Sequence, residues 1–157
     1  MTAQNRTDHS GHRANEANHK HRVQFLIAGD EAALPELEAL LATLPLCATG
    51  RVFVEVDSED AIGALDVPPR MTVTWLPRSR RSGAPGTGRT CARGEAVSRA
   101  VRAWAGEMLC DNPEEVHVWL GGSYHGVADS HDYLTGDLGV SEEVIQTPPL
   151  YRLGARR

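Results

Sequence analysis

The chain has 157 residues, 41% of them hydrophobic and 24% charged, with a formal net charge of −5. This length suits one domain with a core of its own, and no run approaches the about 20 apolar residues of a membrane helix. With no apolar segment near the N-terminus to act as a signal, the expectation is a soluble, cytoplasmic protein that makes no membrane contact.

Residues 1–22 carry His9, His12, His19 and His21 among Asn, Ser, Gly and Arg without hydrophobic period, which predicts a disordered tail. The loose spacing does not complete a metal-ligand set. From Val23 the pattern changes to a short apolar run (Val23, Phe25, Leu26, Ile27, Ala28) closed by Gly29 and Asp30, as in a strand buried on both faces. Leu34, Leu37, Leu40, Leu41 and Leu44 then recur at helical spacing, with Pro35 in the first turn and Pro45 as the stop.

A second strand is expected from Arg51 to Val56 and a third from Met71 to Leu76, joined by a short link containing Pro68 and Pro69. Pro77 to Gly94 reads as an Arg-, Ser- and Gly-rich loop, and Ala96, Val97, Ala100, Val101, Trp104 and Met108 mark a helix to about Cys110. Glu115 to Leu120 is a fourth strand, closed by Gly121, Gly122 and Ser123. A weaker helix from about Val127 to Leu138 and a last strand near Glu143 to Thr147 complete the chain. Strands joined through helices run parallel, and right-handed crossovers then give an α/β sandwich: five parallel strands in the order 3-2-1-4-5 with helices on both faces, a Rossmann-like architecture over residues 23–157.

In such a sheet ligands bind past the carboxyl ends of the strands, where the strand order reverses. Gly29 ends the first strand and Gly121-Gly122 the fourth; these two strands are neighbours in that order, and glycine lets a phosphate or nicotinamide approach the backbone. A dinucleotide is the natural candidate, although glycine also simply ends strands. Eight arginines (Arg70, Arg78, Arg80, Arg81, Arg89, Arg93, Arg99, Arg102) stand against one acid, Glu95, in the window 70–102, so an anion is expected there. Nucleic acid is not the expected anion, because the chain as a whole is acidic and no aromatics interleave these arginines.

The segment Val23 to Leu37, with Ala-Gly-Asp-Glu-Ala-Ala-Leu-Pro at its centre, resembles the start of the C-terminal domain of siderophore-interacting proteins, flavin-dependent ferric-siderophore reductases related to ferredoxin reductases. Arg51 to Val56, Val73 to Leu76 and Val116 to Gly121 follow in that family's order. The resemblance implies an NAD(P)H-binding domain in which Gly29, Asp30, Glu31, Ala32 and Ala33 face the pyrophosphate. It also implies that Arg78, Ser79, Arg80 and Arg81 lie where related reductases hold the 2′-phosphate of NADPH, a group that the planar fork of Arg suits. An exposed basic loop is the alternative for these arginines.

The sequence departs from the family pattern at Ala32, where a threonine hydroxyl is lost, and at Gly121-Gly122-Ser123, which lacks the acid usual there. Tyr151, in Leu150 to Gly154, loosely matches a C-terminal aromatic that covers a flavin in full-length members; plain packing is the other reading. Only 22 residues precede Val23, too few for the family's flavin barrel, so FAD is expected only through a partner chain carrying a flavin domain. The resulting expectation is a stand-alone NADPH- or NADH-binding half of a split ferric-siderophore reductase in iron utilisation. It is not catalytic alone, since the redox chemistry belongs to the flavin. The alternative is a degenerate interaction module of the same fold.

Other motifs point less far. Gly83 to Thr90 differs from the phosphate-loop pattern by Arg89 in place of Lys, but six residues separate it from the strand ending at Leu76 and Gly94 interrupts the helix start, which favours a flexible insertion. His117, His125, Asp129, His131 and Asp132 read as solvated surface or one strand face, not as a metal or acid–base set. Ser123 lacks the setting of a nucleophile elbow. Among the cysteines, Cys47, Cys91 and Cys110 are odd in number and contain no Cys-x-x-Cys pair, against a disulfide framework or structural zinc.

Overall fold

The computed structural model describes residues 23–111, 113 and 115–151. The expected tail with its four histidines lies outside them, as do residues 152–157. Five strands form one parallel sheet: β1 (Gln24–Asp30), β2 (Thr49–Val56), β3 (Arg70–Pro77), β4 (Val116–Leu120) and β5 (Ile145–Gln146), in the spatial order β3-β2-β1-β4-β5. The three-layer architecture and strand order follow the hydrophobic pattern as expected.

Alternation along the strands sorts the core into two layers. Leu26 and Ala28 of β1, Phe53 of β2, Leu76 of β3 and Val116, Val118 and Leu120 of β4 face the helices α2 (Glu95–Met108) and α3 (Tyr124–Asp132). Their opposites, Ile27, Val52, Val54, Val56 and Trp119, pack under α1 (Leu34–Leu41) through Leu37 and Leu41. Leu37 is fully buried, a burial that contributes about 2 kcal/mol.

β2 and β3 are parallel although no α-helix joins them. Residues 57–69 cross the α1 face by a 3₁₀ turn (Glu59–Ala61) and an extended segment whose Leu65 and Val67 pack on the sheet, taking the place of a crossover helix. Two boundaries differ from expectation. The weak helix starts at Tyr124 rather than Val127, because Ser123 accepts from Gly126 N and caps it, and it ends in a π turn, Tyr133–Asp137. The last strand shrinks to Ile145–Gln146, since a 3₁₀ turn capped by Ser141 occupies Glu142–Val144.

No helix among the described residues is long and apolar enough to cross a membrane. Gly83–Thr90 closes on itself, with Gly83 N donating to Arg89 O (2.8 Å) and Thr87 N to Ala84 O (3.2 Å); α2 starts only at Glu95, so the segment does not have the strand–loop–helix continuity of a phosphate loop.

Candidate functional site

The carboxyl ends of β1 and β4 lie side by side, and Gly121 N extends their ladder by donating to Ala28 O at 2.9 Å. Gly122 follows with φ +99°, a left-handed conformation, and a Cβ there would fall 2.5 Å from Asp30 Cγ. Both the backbone angle and the contact therefore require glycine. Gly121 has a separate reason to lack a side chain, since its Cβ would meet the Trp119 ring at 2.4 Å.

Asp30 continues the Leu26–Ala28 face of β1 beyond the core, which aims its carboxylate at the N-terminal ends of the helices on that side. It is 1% exposed. Oδ1 accepts from Ala32 N (3.0 Å) and Oδ2 from Ser123 N (2.7 Å), while Arg93 donates from Nε to Oδ2 (2.8 Å) and from Nη2 to Oδ1 (3.0 Å). The carboxylate thus fills the notch beneath Gly122 and uses the Ala32 amide, one of the donors at the head of the β1–α1 turn.

Glu55 occupies the equivalent place on β2, in register with Asp30 across the sheet, and is fully buried. It accepts from Gly94 N (2.7 Å) and Val97 N (2.9 Å), capping α2 from across the fold, and from Arg78 Nη1 (3.1 Å). Gly94 (φ +93°) lets α2 abut α3: a Cβ there would lie 2.5 Å from Ser123 Oγ and 2.6 Å from Gly126 N. Two neighbouring buried carboxylates, each paired with one arginine, therefore bind the helix N-termini to the sheet rim.

Arg78 also donates to Glu31 (Nη2–Oε1 2.7 Å, Nη1–Oε2 3.0 Å) and to Asp57 Oδ1 at 3.3 Å. Glu31 and, after it, Glu55 raise the already high pKa of Arg78, and its hydrogen bonds hold Glu31 below the usual carboxylate range. Ser79 N donates to Asp57 O (3.0 Å), which fastens the turn after β3 to the end of β2. Arg80 pairs with Glu59 at 2.8 Å on the open surface. Arg102 grips Asp129 with two bonds and lowers its pKa, helped by the Ser98 hydroxyl. Much of the cationic window 70–102 is thus neutralised by acids from other parts of the chain.

Over the rim, the Tyr151 hydroxyl donates to Gly122 O, and its ring stacks on Tyr124 with centroids 6.4 Å apart. Burial, followed by the charge of Asp30, pushes the Tyr151 phenol above its ordinary pKa.

The fold therefore gathers Gly29, Asp30, Gly121, Gly122, Ser123 and Tyr151 at one place, and Glu31, Ala32, Arg78, Ser79 and Arg80 along the adjoining rim. Sequence reasoning missed Arg93, Glu55 and Asp57. Glu55 had a local signal, a lone charge inside the apolar strand Val-Phe-Val-Glu-Val; Arg93 was one of eight arginines in the cationic window, with nothing to single it out. His125 lies near Asp129, and no group of three or more His, Cys, Asp or Glu able to hold a metal occurs among the described residues.

A sheet in this order, with a glycine-lined switch point walled by helix N-termini, defines a doubly wound, Rossmann-like α/β domain. The siderophore-interacting protein family matches residues 23–153, and the chain belongs to that family. Ferric vibriobactin reductase of Vibrio cholerae is 35% identical over 131 residues, covering 82% of this chain and 43% of the reductase. A siderophore utilization protein from T. fusca superposes with a TM-score of 0.56 at 25% identity, covering 85% of this chain and 46% of that one. Ferredoxin-NADP+ reductase of Plasmodium falciparum shares the fold (TM-score 0.52, 14% identity, 85% and 54% covered). The chain spans less than half the length of the curated relatives it matches.

Proposed function

We propose that this domain binds a reduced nicotinamide dinucleotide at the β1–β4 rim and serves as the reductant-binding half of a flavin-dependent ferric-siderophore reductase, the flavin being held by a partner chain. The observation that carries this reading is the side-chain-free shelf at Gly121-Gly122, just before the head of α3 and under Tyr151, beside a carboxylate that Arg93 neutralises. A buried lone acid would repel a pyrophosphate. The Asp30–Arg93 pair does not, and Arg93 Nη1 makes no hydrogen bond among the described residues, so it is available to a phosphate oxygen.

In this arrangement Gly29, Gly121, Gly122 and Ser123 admit the dinucleotide, Asp30 and Arg93 hold the shelf in place, and the Glu31–Ala32 turn and Arg78 to Arg80 flank the adenosine side. Tyr151 covers the nicotinamide end and sets the face offered to the flavin. The bound cofactor supplies a hydride to the flavin, from which electrons reach ferric iron one at a time.

Titrating the purified protein with NADH and NADPH, followed by tryptophan fluorescence and calorimetry, tests the reading. Saturable binding of either cofactor below about 1 mM is expected, weakened by Arg93→Ala. Absence of binding with the fold intact refutes it. A specific observation favours a second reading, an interaction module that no longer binds nucleotide: Asp30 already occupies the notch and the Ala32 amide. A null titration would leave this one standing.

A further inference from the structure

We infer that the site discriminates against a phosphate on the adenosine ribose, so that NADH is its ligand and NADPH is rejected, with Glu31, Asp57 and Glu59 as the discriminating residues. This rests on the dinucleotide reading above. In sheets of this order the turn after the first strand takes the pyrophosphate and the end of the next strand takes the adenosine ribose. Here that strand end is Asp57, whose side chain is 85% exposed and whose carbonyl receives Ser79 N of the turn after β3. A group bound at either place therefore meets the same side chains.

The cations at this corner are already in use. Arg78 is only 12% exposed and lies within 3.3 Å of Glu31, Glu55 and Asp57, and Arg80 lies 2.8 Å from Glu59. Four carboxylates thus surround two guanidinium groups, a net negative corner. A 2′-phosphate would add nearly two further negative charges. Drawing Arg78 out to meet it would leave the fully buried Glu55 without its counter-charge, a rearrangement that buried ion pairs resist. Arg81 has no carboxylate partner among the described residues, and it lines a groove with Phe53 and Trp104. The ribose diol of NADH, by contrast, donates hydrogen bonds, and exposed Asp57, whose Oδ1 takes one 3.3 Å bond from Arg78, keeps Oδ2 as an acceptor with no hydrogen bond among the described residues.

The test compares dissociation constants for NADH and NADPH, with 5′-ADP and 2′,5′-ADP as fragment probes, at two salt concentrations. NADH is expected to bind at least about tenfold tighter than NADPH, and 5′-ADP tighter than 2′,5′-ADP, with both ratios shrinking as salt screens the exposed acids. The double variant D57S/E59A, altered only at exposed positions, releases part of the hold on Arg78 and should bring NADPH to within about threefold of NADH. Equal or tighter NADPH binding by the parent protein overturns the inference while leaving the site intact, as does a ratio that the double variant does not move. If neither dinucleotide nor either fragment binds, the site reading fails and this inference with it.

Discussion

Replacing Glu55 by glutamine tests a side chain that joins β2, α2 and the turn after β3. The carboxylate is fully buried and receives three donors, Gly94 N, Val97 N and Arg78 Nη1, at 2.7, 2.9 and 3.1 Å. Glutamine keeps one acceptor oxygen, but its amide nitrogen must face at least one of these donors. Since a hydrogen bond to a charged group contributes about 1.5–3 kcal/mol, Glu55→Gln should cost about 3 kcal/mol and lower Tm by about 10 °C. Urea unfolding followed by the fluorescence of Trp75, Trp104 and Trp119, all packed in or against the core, reads the change. A cycle with Arg78→Leu should give a coupling above about 1 kcal/mol. Unlike many buried ion pairs, this one cannot be replaced by an apolar pair at little cost, because the α2 amides would remain unpaired. A loss below about 1 kcal/mol for Glu55→Gln would show that the carboxylate does not hold the head of α2.

Two further outcomes follow from the same geometry. Gly122→Ala combines a left-handed backbone with a Cβ 2.5 Å from Asp30 Cγ; it should destabilise the fold by about 3 kcal/mol, read by thermal unfolding, and a shift within about 1 kcal/mol would contradict the close approach of the two rim turns. Asp129 has its pKa lowered in the folded state by Arg102 and Ser98. Its contribution is therefore present above the ordinary Asp value of about 4 and lost as pH falls through the lower folded value. Asp129→Asn should flatten the decline of stability below about pH 4, and an unchanged acid limb would exclude this pairing.

The strands were legible because burial on two faces leaves apolar runs such as Phe25 to Ala28 and Val118 to Leu120, and α1 and α2 because their leucines and valines repeat at helical spacing. The rim was legible in part. Gly29 and Gly121-Gly122 mark strand ends, and their adjacency follows from the order of elements. The weak helix was misplaced at its start because its residues are polar; only the cap at Ser123 defines that boundary. The abundance of arginine suggested an open cationic loop, whereas the fold brings Glu31, Glu55, Asp57 and Asp30 to Arg78 and Arg93.

Periodicity and turn residues are local properties, so this chain's own order of amino acids is enough to mark the strands and principal helices among the described residues, whereas the parallel sense of β2 and β3, which no helix joins, is set by the path of residues 57–69. Which acid meets which arginine is not local: Arg93 and Asp30 are 63 residues apart, Ser123 and Asp30 are 93 apart, and Arg78 and Glu55 are 23 apart. Those meetings depend on strand register and on the path of the loops. That is why the charge of the rim was decided only when the sheet closed its helices over Asp30 and Glu55.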